Sequence, residues 1–186
     1  MGGTPPAVRL SAAEFSASIL YPVPSFKTDD GRLYTLASWS KRVGAAIVDG
    51  VLLAVPAFGI AALAGMRVSV THPAPSEILA RNLIWVALAV FYFPVIMVLT
   101  DGQTVGKRIL RIRVVRIDGS PISGPFALLR EVLVKAVLFP GLTYLPGVVV
   151  AGTVVGFADA LWPLWDGQRR ALHDFLVRSR VVVDPR

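Results

Sequence analysis

Residues 41–65 read KRVGAAIVDGVLLAVPAFGIAALAG. Two cations, Lys41 and Arg42, precede an apolar run broken by a single acid, Asp49. A run of about 23 residues makes roughly 35 Å of helix, enough to cross a bilayer. An aspartate at the centre of such a helix costs roughly 2.5–3.5 kcal/mol on insertion scales. That cost marks Asp49 as a functional candidate and calls for a partner from another segment. Pro56 lies in the same run and has no amide hydrogen, which leaves the Leu52 carbonyl without its helical donor. Leu52 shares a face with Asp49, so carboxylate and carbonyl form a candidate cation or proton site. The alternative is a simple kink, its carbonyl taken up by water or a neighbour. Small residues recur every fourth position, Ala46, Gly50 and Ala54, then Ala57, Ala61 and Gly65. Such rows let helices approach closely in lipid.

Composition points the same way. The chain has 186 residues, 54% of them apolar, and a mean hydropathy of +0.64, too apolar for a soluble domain. The length suits one compact bundle. Cysteine is absent, which excludes disulfides and thiolate chemistry. The net charge of +7 is clustered beside apolar spans, as on the cytoplasmic side of a membrane protein. No nucleic-acid-binding motif accompanies it. Residues 1–38 hold no sustained apolar stretch of signal-peptide type. Their mixture of Pro, Gly, Ser and charge predicts a partly disordered cytoplasmic arm, with a turn at Asp29-Asp30-Gly31.

Beyond a polar loop at 66–82, where His72 stands alone without a second metal ligand, Leu83–Thr100 is a second span, just long enough. Residues 101–108, DGQTVGKR, tempt a phosphate-loop reading. The spacing is one residue short, Arg108 replaces the required Ser/Thr, and no soluble strand precedes it. The segment reads better as a tight glycine turn at the cytoplasmic face, around Gly102, Gln103 and Gly106. It would set Lys107, Arg108, Arg111 and Arg113 near the phosphates of anionic lipid. Ile109–Ile117 alternates in part and predicts a short strand, with Arg180–Val183 as its mate.

Residues 126–139 are helical, with Glu131 and Lys135 one turn apart and Pro140-Gly141 as the stop. Gly147–Trp165 is apolar over about 19 residues and carries a second intramembrane acid, Asp159. Charge bias arranges these helices. The arm before Val43, the 101–130 segment and the tail after Trp165 are rich in Lys/Arg, whereas 66–82 has Arg67 and Arg81 alone. All three rich segments share one side only if an even number of crossings separates them. The expected fold is therefore an all-α membrane bundle of four helices, spanning about 43–65, 83–100, 126–140 and 147–165. It carries a short cytoplasmic β-element, and both termini lie inside. The alternative is three spans, with 126–139 as an interfacial helix. In the tail, Asp166 is an expected N-cap for a helix over Gln168–Val177, in which Asp174 pairs with Arg170 and Arg178. His173 is either a proton relay, its pKa being near neutral, or a helix-surface histidine.

The candidate ion, proton or ion-pair site comprises Arg42, Asp49, Arg130, Lys135 and Asp159, with Arg130 or Lys135 as the expected neighbour of Asp49. Burial raises a carboxylate's pKa and a nearby cation lowers it, so Asp49 either titrates or is a structural ion pair. The cytoplasmic motif adds Gly102, Gln103, Gly106, Lys107, His173 and Asp174. With no G-x-S-x-G, no H-E-x-x-H and two histidines, no enzyme, metal or cofactor is predicted.

The stretch Leu36–Gly50, LASWSKRVGAAIVDG, resembles the opening of the RDD family of bacterial membrane proteins, named for an arginine before the first helix and two aspartates. Arg42 and Asp49 match the arginine and the first aspartate. Gly102–Arg108 with the following Arg111–Val115 strand, Phe126–Glu131, and Arg169–Asp174 resemble later blocks of the family. The resemblance runs from about Leu36 to Val183, making 39–183 an RDD-like transmembrane domain. Asp101, Asp166 and Asp174 compete for the second aspartate. It implies a multi-pass protein of the bacterial inner membrane. For function it implies transport of ions or small solutes, including cation/proton exchange; the alternative reading of the residues is an accessory or scaffold role in a larger membrane complex. Anionic lipid headgroups, further copies of the chain or complex subunits are the expected partners.

Overall fold

The computed structural model describes residues 24–66, 75–132 and 149–184. Two long helices dominate it, α1 (Trp39–Leu63) and α2 (Pro75–Leu99). Helix α1 begins four residues before the expected span because Ser38 caps it, its side chain accepting from the Lys41 amide at 3.4 Å. Helix α2 begins eight residues before the expected Leu83, inside what the sequence suggested was loop. Pro75 opens it and Glu77 sits in its first turn, where a proline costs nothing and an acid meets the positive end of the helix dipole. Both helices are long and apolar enough to cross a membrane.

Their outer faces are bare. Leu63 is 91% exposed, Val55 73% and Phe91 72%, a surface suited to lipid rather than water. The buried stripe of α1 is Ala45, Asp49, Leu53, Ala57 and Ala61. The row Ala46–Gly50–Ala54 expected as a packing face is therefore rotated one position off the contact, and nothing lies within 4 Å of where a Gly50 side chain would start. The helix turns so that its one acid faces inward.

At the end where α1 starts and α2 stops, the strands and short helices of the described chain form a polar cap. Strands β1 (Ser25–Lys27) and β2 (Leu33–Thr35) make a hairpin around the Asp29–Gly31 turn. Leu36 bridges to Val182, so 24–38 packs on the sheet, while the rest of the expected arm, residues 1–23, lies outside the described residues. After α2 come a one-turn helix α3 (Val105–Ile109) and strand β3 (Ile112–Arg116). Strand β3 pairs antiparallel with β4 (Ser179–Val183), Ile112 opposite Val183. This joins the two stretches offered as mates.

Helix α4 (Gly124–Leu128), continued by a wider turn to residue 132, and helix α5 (Val149–Leu161), continued by a 3-10 turn (Trp162–Leu164), complete the core. The expected turn at Gly141–Pro146, Lys135 and His72 lie outside the described residues. Helix α6 is only Leu172–Leu176, shorter than the expected 168–177. Arg169 adopts a positive φ of 51°, which ends helical geometry before it can propagate. The apolar core lies in the cap: Ala45 and Met97 of the long helices pack with Ile112, Val114, Phe126, Ala127, Val177 and Val181.

Candidate functional site

Two groups of buried polar side chains lie where the long helices meet the cap. The first is built on Asp49, 2% exposed. Its Oδ1 accepts from the Tyr92 hydroxyl and from the Gly106 amide, both at 2.8 Å. Its Oδ2 accepts from the Thr104 hydroxyl at 2.5 Å. Neutral donors, not a cation, are thus its hydrogen-bond partners. Of the two neighbours expected from sequence, Arg130 is not among them, and Lys135 lies outside the described residues.

Thr104 serves twice, since its Oγ1 also caps α3 by accepting from the Lys107 amide at 3.3 Å. Gly106 permits the approach: a Cβ there would stand 2.1 Å from the Ala45 carbonyl oxygen. Gly102 works the same way, at φ +92° with Val114 O 2.1 Å from its missing Cβ. The spacing of these two glycines records two backbone contacts, one with α1 and one with β3. Gln103 between them donates to Ile112 O at 3.1 Å and to Asp184 at 2.9 Å, tying the turn to the sheet.

The second group is ionic. Asp174, fully buried, receives Arg42 on Oδ2 and Arg130 on Oδ1, each at 2.6 Å. The Ala171 amide and the Ser179 hydroxyl complete its shell, both at 3.1 Å. The expected pairs of Asp174 with Arg170 and Arg178 do not form. Arg170 instead turns to Asp166 at 2.8 Å, because α6 starts too late for the i,i+4 spacing. Burial disfavours the charge on Asp174, yet His173, Arg42 and Arg130 outweigh it and hold the carboxyl well below the usual range. Of the three acids that compete for the second aspartate, Asp174 is the one that touches Arg42.

Arg130, 1% exposed, also bonds Glu131, which Lys107 approaches at 3.8 Å. His173 joins this network to Asp159. Its Nδ1 lies 2.8 Å from Asp159 Oδ2, and its amide donates to Oδ1 at 2.8 Å. Its Nε2 lies 3.0 Å from Arg130 Nη2 and 3.4 Å from Asp174 Oδ1. A guanidinium only donates, so in the neutral ring Nε2 accepts from Arg130 and Nδ1–H donates to Asp159. In the protonated ring Nε2–H would face Asp174 Oδ1 at 3.4 Å but also the Arg130 guanidinium, a second donor, at 3.0 Å.

Both groups border one cavity of about 340 Å³. Arg42, Asp49, Lys107, Arg130, Asp159 and His173 reach it, and Trp39, Leu53, Trp85 and Phe93 give it an apolar wall. The structure thus gathers Arg42, Asp49, Arg130 and Asp159 around one space, with Lys107 and His173 from the motif; Asp174 connects to it through Arg42 and Arg130. Sequence reasoning missed Tyr92, Thr104 and Ser179. Only Thr104 left a local trace, an N-cap residue just ahead of Val-Gly-Lys-Arg. Among the described residues no group of His, Asp or Glu is arranged to hold a metal.

Comparison with curated proteins and with solved structures returns no match. The profile of the RDD family matches residues 36–178, a range that holds Arg42, Asp49, Asp159 and Asp174 together with both long apolar helices. The chain belongs to the RDD family and is a membrane protein.

Proposed function

We propose that the cavity is the coupling site of a small, non-enzymatic transporter that exchanges a proton against a monovalent cation. The observation that carries this reading is the gathering of ionisable groups at one cavity. Arg42, Asp49, Lys107, Arg130, Asp159 and His173 all border it, and Asp174 and Glu131 pair with Arg130 beside it. Acids, cations and a histidine collected at membrane depth are what a proton- or cation-coupling site needs. His173 supports the proton step, since its Nδ1 lies 2.8 Å from Asp159 Oδ2.

In this reading the polar cap, where the Lys/Arg residues collect, faces the cytoplasm of a bacterial inner membrane. With 186 residues, the chain acts as a homo-oligomer. Proteoliposomes test this. Wild-type vesicles should collapse an imposed pH gradient when Na⁺ or K⁺ is added. Asp159→Asn should lose that exchange while keeping its fold by circular dichroism. Exchange no faster than in empty vesicles would remove the transport reading.

One observation favours a second reading, an accessory subunit of a membrane complex. Asp49 is already satisfied by three donors and acts as a latch between α1 and the glycine turn. Co-purification of one large partner at fixed stoichiometry, without ion exchange, would select this alternative.

A further inference from the structure

On the flank of the cap, away from the cavity just described, lies a second concavity of about 460 Å³, bounded by Leu99, Asp101, Gln103, Arg108, Arg111 and Arg113. Its acids are engaged. Asp101 and Asp184 both pair with Arg113, at 3.3 and 3.6 Å, and Asp184 also accepts from Gln103. Arg108 and Arg111, both exposed, have no carboxylate partner among the described residues. The pocket thus holds three guanidinium groups against two carboxylates, both of them on Arg113, and its positive excess is a suitable setting for a doubly contacted phosphate.

The depth of the pocket says which phosphate. Helix α3 runs beside the first third of α1: Gly106 abuts Ala45 and Asp49, and Leu110 abuts Gly44. At that level α1 presents Ile47 and Val51 outward, 61% and 63% exposed. Exposed Leu99 lines the pocket itself, and Ile109, next in sequence to Arg108, is exposed as well. The two arginines therefore lie where bare apolar surface gives way to polar cap. An anion bound there has hydrocarbon on one side and water on the other, as a phospholipid headgroup has and a dissolved phosphate has not.

We infer that Arg108 and Arg111 form a site for the headgroup of an anionic phospholipid, whose acyl chains lie along Leu99 and Ile109. Native mass spectrometry of the full chain in detergent, with phosphatidylglycerol or phosphatidylcholine added, tests it. The variant Arg108→Gln/Arg111→Asn keeps the fold, since both positions are exposed and Asn tolerates the positive φ of 51° at residue 111. Wild type should retain phosphatidylglycerol over phosphatidylcholine. The double variant should retain it about 25-fold less well, roughly fivefold per cation. Lys27→Gln, the same kind of charge loss on exposed β1, should change nothing. Equal retention of both lipids, equal loss in Lys27→Gln, or full retention in the double variant would overturn the site. So would displacement of the lipid by glycerophosphate at matched concentration, which would make the source a free phosphate rather than a membrane lipid.

Discussion

Asp49 and Asp174 are both buried aspartates at the foot of the same bundle, yet their surroundings are opposite. Asp49, on a helix whose other faces are bare hydrocarbon, is met by a phenol, a hydroxyl and a backbone amide. Asp174, inside the cap, sits between two guanidinium groups. The first arrangement stabilises a carboxylate without importing a second charge into the apolar zone, where each added ion is costly. It also makes the carboxylate a structural tie, since all three donors come from elsewhere in the chain. The second arrangement joins the start of α1, the end of α4 and α6 through one residue. The sites should therefore respond differently to loss of charge with shape retained.

The largest effect is expected at Asp174. Asp174→Asn leaves Arg42 and Arg130 buried without their shared counter-ion, and breaking a buried pair costs about 3–5 kcal/mol. Unfolding in detergent, followed by tryptophan fluorescence, should show that loss. A variant as stable as wild type would mean that the arginines find other partners at little cost. Next comes Gly106→Ala, which must push α3 off the Ala45 carbonyl and with it the amide that holds Asp49. Forcing an extra methyl into a filled contact costs about 1–3 kcal/mol. The same substitution at Gly50, which meets nothing within 4 Å, should be nearly silent. Equal effects at the two glycines would contradict the close approach. Smaller again is Asp49→Asn. The amide oxygen can still accept from Tyr92 and Gly106, and its NH₂ can donate to Thr104, whose own hydroxyl hydrogen then loses its acceptor. One hydrogen bond exchanged in this way is worth about 1 kcal/mol. A loss as large as that of Asp174→Asn would show that Asp49 depends on a cation after all.

The long helices were legible because hydrophobic length is a local property, and so was the acid in the first of them. Both starts were missed for local reasons as well: Ser38 as a cap and Pro75 at a helix's first position are single-residue signals at the edge of a strong apolar pattern. The strand pair was legible from alternation at Ile112–Arg116 and again near the C-terminus. The partners were not. Asp174 has an arginine four residues before it and another four after, and on paper both look like mates. Its real partners stand 132 and 44 residues away, and only the positive φ at Arg169 and the short α6 explain the difference. Likewise nothing in an aromatic run marks Tyr92 as the phenol that would find Asp49. Gly102 and Gly106 looked like turn formers, whereas the space they leave for the Val114 and Ala45 carbonyls is visible only with the opposing backbone in place.

The contrast between the two aspartates also has a pH signature, the smallest of the expected effects. The carboxyl of Asp174 is held below its ordinary value in the folded protein, against burial, by His173 and the two arginines. A group depressed in this way stabilises the fold at any pH above its unfolded value of about 4. That contribution drains away as the pH falls from there toward the folded value, because the unfolded chain then takes up the proton first. The melting temperature of wild type in detergent should therefore decline between pH 5 and pH 3. In Asp174→Asn the decline should be shallower, starting from a lower value. Asp166, also depressed, chiefly through its hydrogen bond to Arg170, contributes to the slope of both proteins and cancels in the comparison. Parallel slopes would mean that Asp174 gains no more from its arginines when folded than it has in the unfolded chain. The two aspartates would then differ in geometry but not in electrostatics.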